Sequence, residues 1–274
     1  MNIGKFSMNG RNLLNVSGNA FLHISKYSHV VTKQTPAEYC FELVRKYDHE
    51  NFLCTLSLPS KPRSAAFAIR AFNVEVAQIQ DQTNDSKIGE MRLKFWTDAL
   101  NNTFKGNPPR SPVMLELARI LQKHSLSKHY FKRLIDARLE YLKNCTFLDM
   151  NALEKYAEYS TSSIYYLVLE AYDIHNISAD HAASHMEAVF QGQISQDLQN
   201  VIYDVACYGK QHLDTAISLK KKLQKNIGLI FLPVVPLEQY LGELRKTDFN
   251  VFDKRLQKRN SLLPIYLFWK KLLL

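Results

Sequence analysis

The stretch "AIRAFNVEVAQIQD", Ala68 to Asp81, decides the fold. Its apolar residues Ile69, Phe72, Val76 and Ile79 recur at the three- and four-residue spacing of an α-helix face. Read outward, the helix runs from Ser64 to about Gln80 and is apolar most of the way round, which predicts a central, buried position. It is written like the core helix of an enzyme. Yet where a cluster of acids would stand on such a helix, it carries Ala77 and Gln78.

Upstream, "TPAEYCFELVRKYD" opens another helix. Thr35 caps it, Pro36 suits its first turn, and Glu38 stands three residues on, as in a capping box. "LSLPSKPRS" lies between the two and reads as a break, because Pro59 and Pro62 cannot continue a helix. Downstream, "TNDSKIGEMRLKFWTDALNNTF" is a helix ended by "KGNPPRSP". Val113–Lys123, His129–Leu142 and Asn151–Ala171 carry the same periodicity. So do Ser178–Val189, Leu198–Leu223, Leu237–Arg245 and Leu262–Leu273. Alternating β-branched runs are scarce, and no hairpin signal joins two of them. The class is all-α, with one helical domain over residues 35–274.

The charge excludes some functions and suggests others. The net charge is +9, and it sits at the two ends. Residues 1–37 hold Lys5, Arg11, Lys26 and Lys33 and no acid, while residues 210–274 hold 13 Lys/Arg against 5 Asp/Glu. Residues 1–34 are basic, rich in Asn and Ser, and dotted with Ile3, Phe6, Leu13, Leu14, Phe21 and Leu22, the pattern of a mitochondrial presequence. A secretory signal is excluded, since no apolar core of the needed length follows the basic start. No run reaches the roughly 20 apolar residues that span a bilayer. The four cysteines, Cys40, Cys54, Cys145 and Cys207, form no C-x-x-C pair and read as reduced and structural.

Two further regions invite a partner. "HAASH" puts His181 and His185 four apart, but Ala182 stands where a zinc protease needs Glu, and no third ligand is evident. These histidines read as solvated or hydrogen-bonded, and no metal site is expected. The basic C-terminal third offers Lys220, Lys221 and Lys222, with Trp269, Lys270 and Lys271 in "LLPIYLFWKKLLL". No nucleic-acid-binding motif accompanies this charge, so nucleic acid is not the expected partner. An interfacial helix on a membrane and a helix docked on the core with solvated lysines both remain open.

Several spacings taken together resemble the squalene/phytoene synthase family. They are Leu58–Pro59 and Arg63 before "AIRAF", then Trp96, then "GNPP" at Gly106–Pro109, then "LIDARLEYL", "ALEKYAEYSTSSIYYLVLEA" and "ADHAASHM". The resemblance implies an isoprenoid-synthase-like helical bundle. "RAFNVEVAQIQD", "IGEMRLKFW", "VIYDVA" and "LEQYLGELRKTDFNVFDKRLQKRNSLLPIYL" are similar to a branch of that family that serves assembly of mitochondrial respiratory complex I. That branch implies complex I subunits or assembly intermediates as partners. It also implies peripheral contact with the matrix side of the inner membrane, and no cofactor.

Synthases of the family ionise prenyl diphosphates, and Mg²⁺ must bridge the leaving diphosphate to carboxylates on facing helices. Laid on this chain, the family's first motif puts its Tyr on Arg70, its Phe on Phe72 and its Arg on Val74. Its first two acids fall on Ala77 and Gln78, and its last is kept as Asp81. A shifted register offers Glu75 but then places Ile79 four residues on. The second acidic helix, expected after "HAASH", is shortened, so the bundle is expected to be incomplete around residues 186–199. Tyr165, close to Ser162, falls where the family tends to small residues; it is expected to pack with Tyr166. These substitutions imply a non-catalytic relative. The alternatives are an active prenyl-diphosphate transferase and an isoprenoid- or lipid-binding helical module.

Overall fold

In the computed structural model the helix read from the opening stretch runs longer than its periodicity. It spans Ser60–Asp81, and it is described here with the rest of residues 34–83, 85–144, 150–174, 198–220, 225–251, 253–256 and 258–272. In chain order the helices are α1 (Pro36–Tyr47), α2 (His49–Leu56), α3 (Ser60–Asp81), α4 (Ser86–Phe104), α5 (Pro112–Leu121), α6 (Lys128–Asn144), α7 (Met150–Ala157) and α8 (Ser163–Ala171). They continue as α9 (Leu198–Lys220), the short α10 (Lys225–Gly228), α11 (Val234–Lys246) and α12 (Leu263–Leu272). No strand occurs among the described residues. Ser178–Val189 lies outside them, as do most of residues 186–199.

The expected break needs correction at Pro62, and the expected helix start at Leu237 needs correction at Pro236. Pro62 sits three residues into α3 and Pro236 three into α11, and both helices start earlier than predicted. The first turn of a helix has no internal partner for its N–H groups, so proline there loses nothing. Just before the segment read as a break lies α2, a short helix that periodicity missed. At α1 the expected capping box is present: Glu38 N–H donates to Thr35 Oγ1 at 3.2 Å, and Thr35 N–H to Glu38 Oε2 at 2.8 Å. α4 ends in Gly106, whose φ of 85° lets its N–H reach Thr103 O while Asn107 N–H reaches Asn102 O.

The helix expected over Asn151–Ala171 is interrupted. Glu158–Ser162 widens into a π turn between α7 and α8. Serine hydroxyls there serve carbonyls left by the wider turn: Ser160 Oγ donates to Ala157 O, and Ser163 Oγ to Glu158 O, each at 3.4 Å.

α3 is the axis of the bundle, packed by α1, α2, α4, α5, α6 and α8. Phe72 is fully buried, with Trp96 edge-on at 5.7 Å and Phe131 at 5.2 Å. Residues 34–274 form one compact unit. A small second cluster, Cys54, Leu232, Val235, Leu263 and Leu267, seats α12 on α2 and α11. Cys40 and Cys54 are free and buried, Cys207 is free and exposed, and Cys145 lies outside the described residues.

Candidate functional site

Residues 70, 73, 74, 77 and 81 share one side of α3, because neighbours on a helix face are three and four apart. Arg70 and Val74 are buried, Ala77 and Gln78 are half-buried, and Asp81 is exposed. The helix thus aligns the positions of the first acidic motif, but only Asp81 brings a carboxylate, at the solvent end. Glu75, the residue offered by the shifted register, is engaged elsewhere. The Tyr39 hydroxyl donates to its Oε1 at 2.6 Å, and burial, then this carboxylate, pushes the Tyr39 phenol well above its usual range.

The same face already meets a cation. Arg138 of α6 donates from Nη2 to Asn73 Oδ1 at 3.0 Å, with its guanidinium 5.4 Å from the Tyr156 ring. Asn73 lies one turn from Ala77. Mg²⁺ needs several hard oxygen ligands in octahedral array. One exposed carboxylate, at the end of a face whose Asn73 already takes a guanidinium, does not fit it. Among the described residues no three His, Cys, Asp or Glu side chains gather closely enough to hold a metal. His181, His185 and the second acidic motif lie outside those residues.

A cleft of ≈ 390 Å³ opens next to the other end of this face. Its walls are Asp48, Glu50 and Asn51 from the start of α2, Thr161 of the π turn, Tyr165 of α8, and Pro236, Tyr240 and Glu243 of α11. The loop bearing Arg255, Leu256 and Lys258 closes one side. Arg255 is engaged already: it forks onto Asp253, Nε to Oδ1 at 3.0 Å and Nη2 to Oδ2 at 2.9 Å. That pairing draws the Asp253 carboxyl down to about 2. Asp48, Glu50 and Glu243 outnumber Arg255 and Lys258 on the cleft walls, so an entering diphosphate would meet an excess of carboxylates.

Behind the cleft lies a pair that sequence reading did not find. Arg70 Nη1 stands 3.5 Å from Asp48 Oδ2, with the arginine side chain 6% exposed. Asn51 Nδ2 donates to the other Asp48 oxygen at 2.7 Å. The Arg70 guanidinium also lies 5.9 Å from the Tyr165 ring centroid, and its Nε is buried with no protein partner. A void of ≈ 10 Å³ beside it, room for about one water, is lined by Arg70, Tyr165 and Pro233. Tyr165 and Pro233 border both void and cleft, so the tyrosine stands in the shared wall. Its ring lies parallel to Phe231 at 6.3 Å. Tyr165 therefore packs, as expected, and also narrows the cavity. Tyr166 packs too, donating from its hydroxyl to Glu158 Oε1 at 2.9 Å. Ser162 is fully buried in the π turn.

The second group of expected contact residues is divided. Trp269, Lys270 and Lys271 are exposed on α12. Lys221, Lys222 and the side chain of Lys220 lie outside the described residues.

An α3 with the motif register but only the last of its acids, at the centre of an all-helical bundle, defines a class, and comparison with known proteins agrees. The squalene/phytoene synthase profile matches residues 44–191, and the chain belongs to that family. The bundle superposes on a dehydrosqualene synthase in complex with ligand at a TM-score of 0.71 and 14% identity, covering 86% of this chain and 95% of that one. On a squalene synthase from Alicyclobacillus acidocaldarius the TM-score is 0.65 at 18% identity, covering 78% and 95%. The isoprenoid-synthase-like fold is as expected. Among curated relatives, the chain is 36% identical to the cattle protein named NADH dehydrogenase (ubiquinone) complex I, assembly factor 6, over 85% of this chain and 82% of the relative. It is 35% identical to the human protein of that name at the same coverage. To the Drosophila melanogaster homologue it is 35% identical, over 86% and 84%.

Proposed function

We propose that this chain serves assembly of mitochondrial respiratory complex I and does not transfer prenyl groups. The observation that carries the reading is the kinship with proteins named assembly factor 6, which extends over most of this chain and of each relative. The first motif supports the non-catalytic half. Val74 is packed in the core, Ala77 and Gln78 replace acids, and Arg138 holds the neighbouring turn. On this reading residues 1–34 direct import, and the folded part works at the matrix face of the inner membrane on early intermediates of the membrane-embedded arm. The sites are then the degenerate motif Val74, Ala77, Gln78 and Asp81, kept as a packing wall, and the exposed basic surface near the C-terminus.

Depleting the protein and resolving respiratory complexes on native gels tests the role. Mature complex I is expected to fall while early intermediates accumulate; normal complex I with normal intermediates rejects the proposal. The non-catalytic half is tested separately, with purified full chain, Mg²⁺ and farnesyl or geranylgeranyl diphosphate. No diphosphate release above background is expected, and release would restore the transferase reading. The apolar part of the cleft, with Tyr165, Pro236, Leu237, Tyr240, Leu256 and Leu263, favours a second reading, an isoprenoid- or lipid-binding module. Co-purified isoprenoid together with unaltered complex I would select it.

A further inference from the structure

α12 is short and apolar, and most of it is uncovered. Leu263 and Leu267 are buried against the second cluster, while Ile265, Tyr266, Phe268, Trp269 and Leu272, with Leu262 just before the helix, are each about half exposed or more. At about 100° per residue these six fall in an arc of roughly 160° opposite the buried stripe, and Lys270 and Lys271 fall beside that stripe on either side. Solvated singly, such residues are ordinary; as one contiguous face they mark an interaction surface.

The charge beside this face says what it meets. Residues 254–274 hold Lys254, Arg255, Lys258, Arg259, Lys270 and Lys271 and no acid, with Arg255 paired to Asp253 just before them. The loop's Arg259 shares a shallow groove with Arg45 and Lys46 of α1, beside His49 of α2; Glu42 lines it too and pairs with Arg45. Cations far apart in sequence thus converge near the helix that packs on α2. Among the described residues no helix is long and apolar enough to cross a membrane. A ten-residue helix with an apolar outer face and flanking lysines suits the plane of a membrane interface.

We infer that α12, with the basic loop before it, docks on an anionic lipid bilayer. The aromatic and aliphatic arc enters the boundary between head groups and acyl chains. Lys270 and Lys271 reach lipid phosphates from either side, and Leu263 and Leu267 keep the helix on the protein body. The inference deepens the proposed role at the inner membrane and rests on it only for which membrane the cell presents.

Purified full chain is mixed with vesicles of phosphatidylcholine, with or without cardiolipin, and followed by co-sedimentation and tryptophan emission. Pelleting with cardiolipin vesicles and a blue shift from Trp269 are expected, and neither with phosphatidylcholine alone. K270Q/K271Q should weaken binding about 25-fold, taking about fivefold per lysine. I265S/F268S, which keeps the Trp269 reporter, should weaken it about tenfold or more and remove the blue shift. Lys5, Arg11, Lys26 and Lys33 are present in every variant, so the differences read α12 alone. All four replaced residues are exposed, and unchanged far-UV circular dichroism checks the fold. No binding to cardiolipin vesicles, or variants that bind like the parent, overturns the inference. So does dimerisation abolished by I265S/F268S, which would assign the face to a second copy. A negative vesicle result leaves the native-gel test of complex I assembly unaffected.

Discussion

α3 and α12 are both rich in apolar residues, and the fold uses them differently. α3 buries 12 of its 22 residues. α12 buries two of ten and turns Phe268 and Trp269 outward. The difference lies in what surrounds them. Six helices pack around α3, so alanines at 65, 66, 68 and 71 let neighbours close in while Phe72 fills the remaining space. α12 has one small cluster beneath it, and nothing among the described residues covers its outer face. Apolar content on its own therefore identifies a surface that must be covered. It does not identify the cover.

Two phenylalanines break or sharpen this contrast most directly. Phe72→Ala removes a fully buried ring held by Trp96 and Phe131, and should cost about 3–5 kcal/mol in the unfolding free energy. Phe268→Ala, at a residue 61% exposed, should stay within about 0.5 kcal/mol. Urea denaturation of both variants reads the difference. Similar losses would mean that α12 is covered in solution.

What could be read in the sequence follows the same division. Local patterns reported local structure: the Thr35 capping box, the end of α4 at Gly106, and the periodicity that buries Ile69, Phe72, Val76 and Ile79. The starts of α3 and α11 were misplaced because Pro62 and Pro236 look like breakers unless the helix is known to begin just before them. The π turn at Glu158–Ser162 leaves no mark in a periodicity of three and four. At the site, the register of Val74, Ala77, Gln78 and Asp81 was legible because it lies within one helix. The Arg70–Asp48 pair was not: it joins residues 22 apart, and each has many other possible partners.

That pair carries the next effect. Asp48→Asn leaves the Arg70 guanidinium buried beside the Tyr165 ring with its countercharge gone. A loss of about 2 kcal/mol is expected, less than for a fully enclosed pair because Asp48 remains 20% exposed. Arg70→Met together with Asp48→Leu removes both charges and should recover most of it, since a buried pair contributes little beyond an apolar substitute of similar size. If the double variant is instead the less stable, Arg70 holds the cleft wall through contacts beyond Asp48. The Arg70 wall would then depend on polar contacts, in contrast to the apolar packing around Phe72.

The smallest effect reads how firmly α12 sits. Its buried stripe, Leu263 and Leu267, covers Cys54, and burial pushes that thiol from an ordinary 9.0 up to about 12. A thiol whose pKa is raised by folding contributes stability that is complete below pH 9. That contribution is lost as pH rises towards 12, because the unfolded chain releases a proton the folded chain keeps. The expected slope is about 1.4 kcal/mol per pH unit for each such thiol. Cys40, on the buried face of α1 and pushed up to about 12 in the same way, adds a second contribution of the same sign. Tyr39 and Tyr172, both raised chiefly by burial, add to it above pH 10. Cys54→Ala should flatten the alkaline slope by one thiol. Leu267→Ala should do the same without touching sulfur if α12 lifts away when its stripe is weakened. An unchanged slope in Leu267→Ala would mean that Cys54 is kept dry by Leu232 and Val235 alone, and that α12 rests on the body without sealing it.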